Sequence, residues 1–338
     1  MNIREFVRPF VYSNLIQLSE QFAYGHREIL LISNKLEPTS LILASIPHGW
    51  GPDTFGYPYP KIRNRFLKEY PILAWSSRTA ADWTKRGYRL PIAVGSPWAH
   101  FVNSVHKNYK VGIKAKEEVI NSILFLPTHS VPGGSVKHKF ELESLLNQVQ
   151  PAKVTVCLFW LDFINPKVRH FYSSFGCEIT CVGFKGSTGF DTPWSPIGGR
   201  ELFLPNLYRL FLNHNIVVVD TVSTPFWYAA SLGKTVYIRG YGDEYTWWGS
   251  GKQSELSINN RNMLALADKK LANLPLDTLI PSEGLLRDTA KIELGFDMIE
   301  NFLPVVSKYK LLKPGMLETE ICSSLGDFYK DYDTQVLE

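Results

Sequence analysis

Cysteine, methionine and charge are what this sequence has least of. Four cysteines and four methionines in 338 residues exclude a disulfide framework as the source of stability. Cys177-x-x-x-Cys181 has no second cysteine pair or neighbouring histidine to complete a zinc site, so Cys157, Cys177, Cys181 and Cys322 are expected to be reduced thiols. No run approaches the roughly 18–20 uninterrupted apolar residues of a spanning helix. The N-terminus lacks the apolar core and small-residue cleavage site of a secretory signal, and the expected location is the cytoplasm. Charged residues make up only 20%, and 36 Lys and Arg against 32 acids leave a net charge of +4. That excess is too small for a nucleic-acid partner but suits anionic small ligands.

Apolar surface, in contrast, is plentiful. Hydrophobic residues reach 45%, with 9 Trp, 20 Phe and 16 Tyr, a composition that folds around a substantial core. The length is that of two ordinary domains. At the start, Ile3, Phe6, Val7, Phe10 and Val11 fall at helical spacing opposite Arg4 and Arg8. Such a helix packs on its own domain or makes weak peripheral contact with a membrane surface.

From residue 28 onward, short apolar runs alternate with helical stretches, the pattern of an α/β protein with buried parallel strands. Strands are expected at Ile29–Ser33, Leu41–Ile46, Tyr70–Trp75 and Leu90–Gly95. A polar, lysine-rich passage over 103–118 marks a domain boundary. The alternation then restarts, with strands at Ser122–Pro127, Lys153–Trp160, Glu178–Gly183, Ile216–Asp220 and Thr235–Ile238, and helices near 138–149, 166–175 and 200–213. The expected architecture is two Rossmann-like α/β domains facing each other across a cleft, 1–115 and 116–283. A helical tail, 284–338, follows and could cross back to the first domain.

Four segments carry candidate chemistry. In the first, Ile216–Asp220 is a strand, Ser223 or Thr224 a helix N-cap, Pro225 a first-turn residue and Gly233 a left-handed C-cap before the next strand. A helix that starts at the C-terminal end of a parallel strand presents N–H groups and hydroxyls suited to phosphate. An ordinary capped crossover helix has the same pattern. The second, Ser45-Ile46-Pro47-His48-Gly49-Trp50-Gly51, brings a glycine-flanked histidine to a strand end, where it can act as a base or simply bond within a loop. Asp53 in the following aromatic loop is the alternative base. Trp50, Tyr57 and Trp98 present large aromatic faces, for which packing is one account. In the third, Thr128-His129-Ser130 follows a strand, and its hydroxyls, imidazole and backbone N–H groups can receive a diphosphate. The fourth, Val182–Asp191, contains Lys185 and Gly186 but not the spacing of a triphosphate loop. It is like a phosphate loop in composition alone, and a plain surface loop has the same pattern.

Asp220 at a strand end, the Ser/Thr pair, the short apolar helix and Leu232-Gly233-Lys234 resemble the nucleotide-phosphate segment of GT-B glycosyltransferases. The likeness is greatest to the CDP-glycerol glycerophosphotransferase, sialyltransferase and Kdo-transferase groups of bacterial capsule and cell-wall synthesis, and covers roughly residues 40–240. The resemblance implies His48 as catalytic base, with His129 opposite the leaving phosphate. It also implies Thr128, Ser130, Lys185, Gly186, Ser223 and Thr224 on the donor nucleotide and its phosphates, with Trp50, Tyr57 and Trp98 on the acceptor side. His129-Ser130 departs from the His-Pro of the sialyl and Kdo enzymes, which puts a CMP-linked donor in question. The expected partners are a nucleotide-sugar and a glycan or lipid-linked acceptor. Asp331-Tyr332-Asp333 lies in a polar tail and follows no nucleotide-domain strand, so no obligatory metal or other cofactor is expected. A CDP-polyol phosphotransferase and a non-catalytic glycan- or nucleotide-binding protein are the alternatives on the same scaffold.

Overall fold

The computed structural model describes residues 23–37, 40–42, 44–47, 49–50, 71–85, 87–88, 90–109, 121–129, 135–151, 153–183, 203–239, 244–246 and 256–313. In chain order the helices are α1 (His26–Ser33), α2 (Ser77–Lys85), α3 (Pro97–Tyr109), α4 (Glu143–Val149), α5 (Trp160–Phe163) and α6 (Pro166–Ser173). They continue with α7 (Phe203–Leu212), α8 (Thr224–Ser231), α9 (Leu256–Ala267), α10 (Leu285–Glu293) and α11 (Phe302–Lys308). The strands are β1 (Leu41–Ile42), β2 (Pro71–Ala74), β3 (Leu90–Ala93), β4 (Ser122–Leu126), β5 (Ser135–Lys137) and β6 (Lys153–Cys157). They end with β7 (Glu178–Thr180), β8 (Ile216–Val219), β9 (Thr235–Ile238), β10 (Glu244–Thr246), β11 (Leu279–Ile280) and β12 (Leu312–Lys313). Two compact units emerge: Met1–Val111 with Lys185–Leu204 and Ile292–Glu338, and Gly112–Phe184 with Pro205–Lys291.

The second unit is built on a six-stranded sheet of order β11-β9-β8-β4-β6-β7, parallel except for β11. Its central strands are apolar because helices cover both faces of a doubly wound sheet. Ile123, Phe125, Val156 and Val218 join Leu145 and Tyr172 in one buried cluster. The chain winds from β4 outward through β6 to β7, then returns to the other side of β4 for β8 and β9. The strand order therefore reverses between β4 and β8.

The first unit is also α/β. Strands β2 and β3 pair in parallel, and Ser45 bridges Ile72 in the same sense. Leu30, Leu31, Ile42, Leu73, Val94, Phe302 and Val306 form its core.

Three sequence expectations change here. Ile29–Ser33 belongs to helix α1, not to a strand. A short continuous apolar run has no period of its own, and here it lies in a helix buried on every side from His26 to Leu31. Residues 103–109 of the polar passage placed at 103–118 are the second half of α3, begun by Pro97 and capped by Ser96, whose Oγ accepts the Ala99 N–H at 3.1 Å, while the division between the two units, Val111/Gly112, falls within that passage. The segment after residue 284 is not wholly helical, since β12 pairs antiparallel with β1 through Leu41↔Lys313 and Ile42↔Leu312.

One buried imidazole ties this core together. His100 Nε2 lies 2.8 Å from the Val94 carbonyl, an acceptor, so Nε2 carries the proton. Nδ1 then accepts from the Asn34 amide at 3.0 Å, beside an edge contact with Phe302. Burial pushes its pKa down to about 4. The unfolded chain protonates near 6.5, so His100 contributes its full stability above that pH and loses it as pH falls towards 4. The expected loss is about 2 kcal/mol, measured by urea denaturation at pH 7 and pH 4.5. A His100→Gln protein with the same pH slope would show that another group is responsible.

Candidate functional site

The β4 and β8 strands end level, with Leu126 opposite Val219. Because the order reverses between them, the crevice beyond their C-terminal ends is where an open α/β sheet receives a ligand. Pro127-Thr128-His129 leaves from one side of it and Asp220–Ser223 from the other. Helix α8 begins at Thr224, with Ser223 extended at the N-cap and Pro225 in the first turn. Gly233, at φ +75°, turns the chain back into β9. Most of α8 is buried from Phe226 to Ser231, which anchors its positive end at the crevice.

Asp220, 1% exposed, holds these pieces in register. Its Oδ2 accepts the Thr128 N–H at 2.7 Å and its Oδ1 accepts from Arg239 Nε at 2.5 Å. Arg239 is itself buried. It donates to the Lys139 carbonyl at 2.9 Å and lies over Phe125, 4.8 Å from the ring centre. The Asp220 carbonyl accepts from Asn260 Nδ2 at 2.9 Å, and Asn260 Oδ1 accepts the Val222 N–H at 2.8 Å. The Asp220 charge is thus neutralised internally by Arg239. Among the described residues, this strand-end region offers an anion the dipole of α8 and a set of hydroxyls.

One of those hydroxyls is conspicuous. Thr128 Oγ1 is buried without a hydrogen-bond partner, which costs about 1–3 kcal/mol unless a ligand or water supplies one. Ser223 Oγ makes only a long 3.3 Å bond to the Thr221 carbonyl and does not cap its own helix. His129 is exposed, its ring tilted by 31° against that of Phe159, which follows β6, with the ring centres 4.3 Å apart.

Of the residues expected from sequence, Thr128, His129, Ser223 and Thr224 therefore meet at one end of one sheet. Ser130, Lys185, Gly186, His48, Asp53 and Tyr57 lie outside the described residues, as do the opening helix and Asp331–Asp333. Trp98 is fully buried in α3 beside Phe101, and offers no face to an acceptor. Trp50 is also buried, donating from Nε1 to Glu293 Oε2 at 2.6 Å. Arg78 Nε donates to the other oxygen of that carboxylate, also at 2.6 Å. Two elements of the crevice were not anticipated. Arg239, directly after an apolar strand, is a recognisable oddity; Asn260 has no local signal at all.

Among the described residues no three His, Cys, Asp or Glu side chains gather so as to hold a metal ion, and no helix is long and apolar enough to cross a membrane.

No protein-family model matches the sequence, and no curated protein matches it. Solved structures do align with it. MnaA of S. aureus in its UDP co-structure shares 14% identity over 79% of this chain and 69% of its own, with a TM-score of 0.37. The wall teichoic acid polymerase TagF shares 12% over 88% and 67%, at 0.35. UDP-GlcNAc 2-epimerase of Neisseria meningitidis, bound to UDP-GlcNAc, shares 14% over 75% and 66%, also at 0.35. The chain spans about two thirds of the length of each of these proteins.

Proposed function

We propose that the second unit binds the phosphates of a nucleotide-activated sugar at the β4/β8 crevice, and that the chain is a glycosyltransferase acting on a glycan or lipid-linked acceptor in surface polysaccharide synthesis. The observation that carries this reading is the buried, unpartnered Thr128 hydroxyl at the same strand ends as the start of α8. A phosphate oxygen is an acceptor that this hydroxyl, Ser223 and the helix N-terminus can share.

In such a transfer the acceptor hydroxyl loses a proton while the bond from sugar to phosphate breaks. Negative charge grows on the leaving nucleotide phosphate. Thr128, Ser223, Thr224 and the α8 dipole are proposed to stabilise that charge, with His129 at the rim. His48 is proposed as the base, with Asp53 as the alternative, and Lys185 and Gly186 as neighbours of the nucleoside. The reaction is proposed to need no metal and to take place in the cytoplasm.

Thermal unfolding with CMP, CDP, UDP and GDP tests the donor site. At about 100 times its dissociation constant the matching nucleotide is expected to add roughly 2.7 kcal/mol of stability, with EDTA present or absent. Thr128→Val, and separately Ser223→Ala with Thr224→Ala, are expected to lose that response. A wild-type protein that responds to none of the four would sink the reading. Stabilisation by CDP together with transfer of a polyol phosphate, and no sugar transfer, would replace it with the phosphotransferase.

A further inference from the structure

The loop from β8 to α8 makes its turn in the protein interior, where Asp220 and Val222 are both buried. The Asp220 carbonyl and the Val222 N–H lie beyond the last ladder pair of β8, Val219↔Ile238, and buried backbone groups of this kind require partners. Both find the same one, the side-chain amide of Asn260, fully buried on α9. One planar amide that donates to residue 220 and accepts from residue 222 fixes the spacing and direction of the two peptides together. Aspartate lacks the donor, and glutamine carries the same groups one methylene too far out.

The residue after Val222 is Ser223, the N-cap of α8. The carboxylate of the residue whose carbonyl Asn260 holds is also the one that binds the Thr128 N–H. A shift of the Asp220–Val222 peptides would therefore displace both halves of the phosphate crevice at once. The amide reaches this loop from 40 residues away in sequence, on a helix that buries Leu264 one turn later.

We propose that Asn260 is a positioning residue for the anion site. It sets the geometry of Thr128, Ser223 and the first turn of α8. This rests on the phosphate-binding reading above.

Asn260→Ala, Asn260→Gln and Leu264→Ala test it. The last removes buried apolar volume from the same helix while leaving the Asn260 hydrogen bonds to the loop in place, and so controls for simple destabilisation. Hydrogen exchange at a temperature where every variant is folded is expected to rise selectively over residues 220–228 in both Asn260 variants. In Leu264→Ala the rise is expected within α9. Calorimetric titration with pyrophosphate and with UDP and CDP is expected to show affinity weakened about tenfold or more in Asn260→Ala, and little changed in Leu264→Ala. If the Asn260 variants exchange over 220–228 as Leu264→Ala does, or bind as tightly as wild type, the positioning role is wrong. A wild-type protein that binds none of these anions overturns the function proposed above. The exchange comparison then still decides whether Asn260 sets the loop. Asn260→Gln guards against loss of the alanine variant to misfolding, since it retains both hydrogen-bonding groups.

Discussion

Replacing Asp220 with asparagine is expected to destabilise the protein by about 3–5 kcal/mol. The substitution keeps the shape and an acceptor for the Thr128 N–H, but it removes the carboxylate that the buried Arg239 guanidinium is paired with. That group is buried, 2% exposed, with Asp220 Oδ1 at 2.5 Å and the Lys139 carbonyl at 2.9 Å. The cost is therefore that of breaking a buried ion pair, not of one neutral hydrogen bond. A double variant, Asp220→Asn with Arg239→Met, removes the charge as well, and is expected to be more stable than Asp220→Asn alone. Urea denaturation at pH 7 measures both. If the two losses simply add, the pair is not coupled as its geometry implies.

A second large effect is expected at Gly295. At φ +70°, a Cβ on this residue would stand 1.8 Å from the Trp75 carbonyl oxygen and 2.9 Å from the Gly95 Cα. Backbone cannot yield there as a flexible side chain would. Just before it, Glu293 receives Trp50 and Arg78, and the Leu294 carbonyl accepts the Ser96 N–H at 2.8 Å. The glycine thus permits the close approach by which the chain after α10 seats on the ends of β2 and β3. Gly295→Ala is expected to cost at least about 4 kcal/mol, the range reserved for severe core disruption. Gly176→Ala separates strain from collision, because Gly176 has φ +74° but open space around it. Its expected cost is about 1–2 kcal/mol. Equal losses in the two variants would mean that the approach at Gly295 is looser than described.

Much of the second unit can be read along the chain. Ser122–Leu126, Lys153–Cys157, Ile216–Val219 and Thr235–Ile238 are apolar runs between turn formers, and they become the four strands at the heart of its sheet. The α8 crossover is legible for the same local reason. Pro225 suits a first turn and Gly233 takes the left-handed conformation that ends it. Legibility fails where a run is short and has no period. Ile29–Ile32 reads as a strand and is a helix, while the polar second half of α3 reads as a linker because its apolar face, Trp98, Phe101, Val102 and Val105, lies mostly upstream.

The candidate site divides along the same line. Thr128, His129, Ser223 and Thr224 could be selected from sequence because each follows an apolar strand, and parallel pairing brings the ends of such strands to one edge. Local chemistry, acting over a few residues, thus determined the strands, the α8 caps and the hydroxyls at the crevice. Tertiary structure alone decided which polar groups would be consumed internally. Asp220 meets Arg239 across 19 residues and Asn260 across 40; Trp50 meets Glu293 across 243. Whether a carboxylate or an indole faces a ligand or a buried partner depends on what the fold packs against it, and no local propensity encodes that choice.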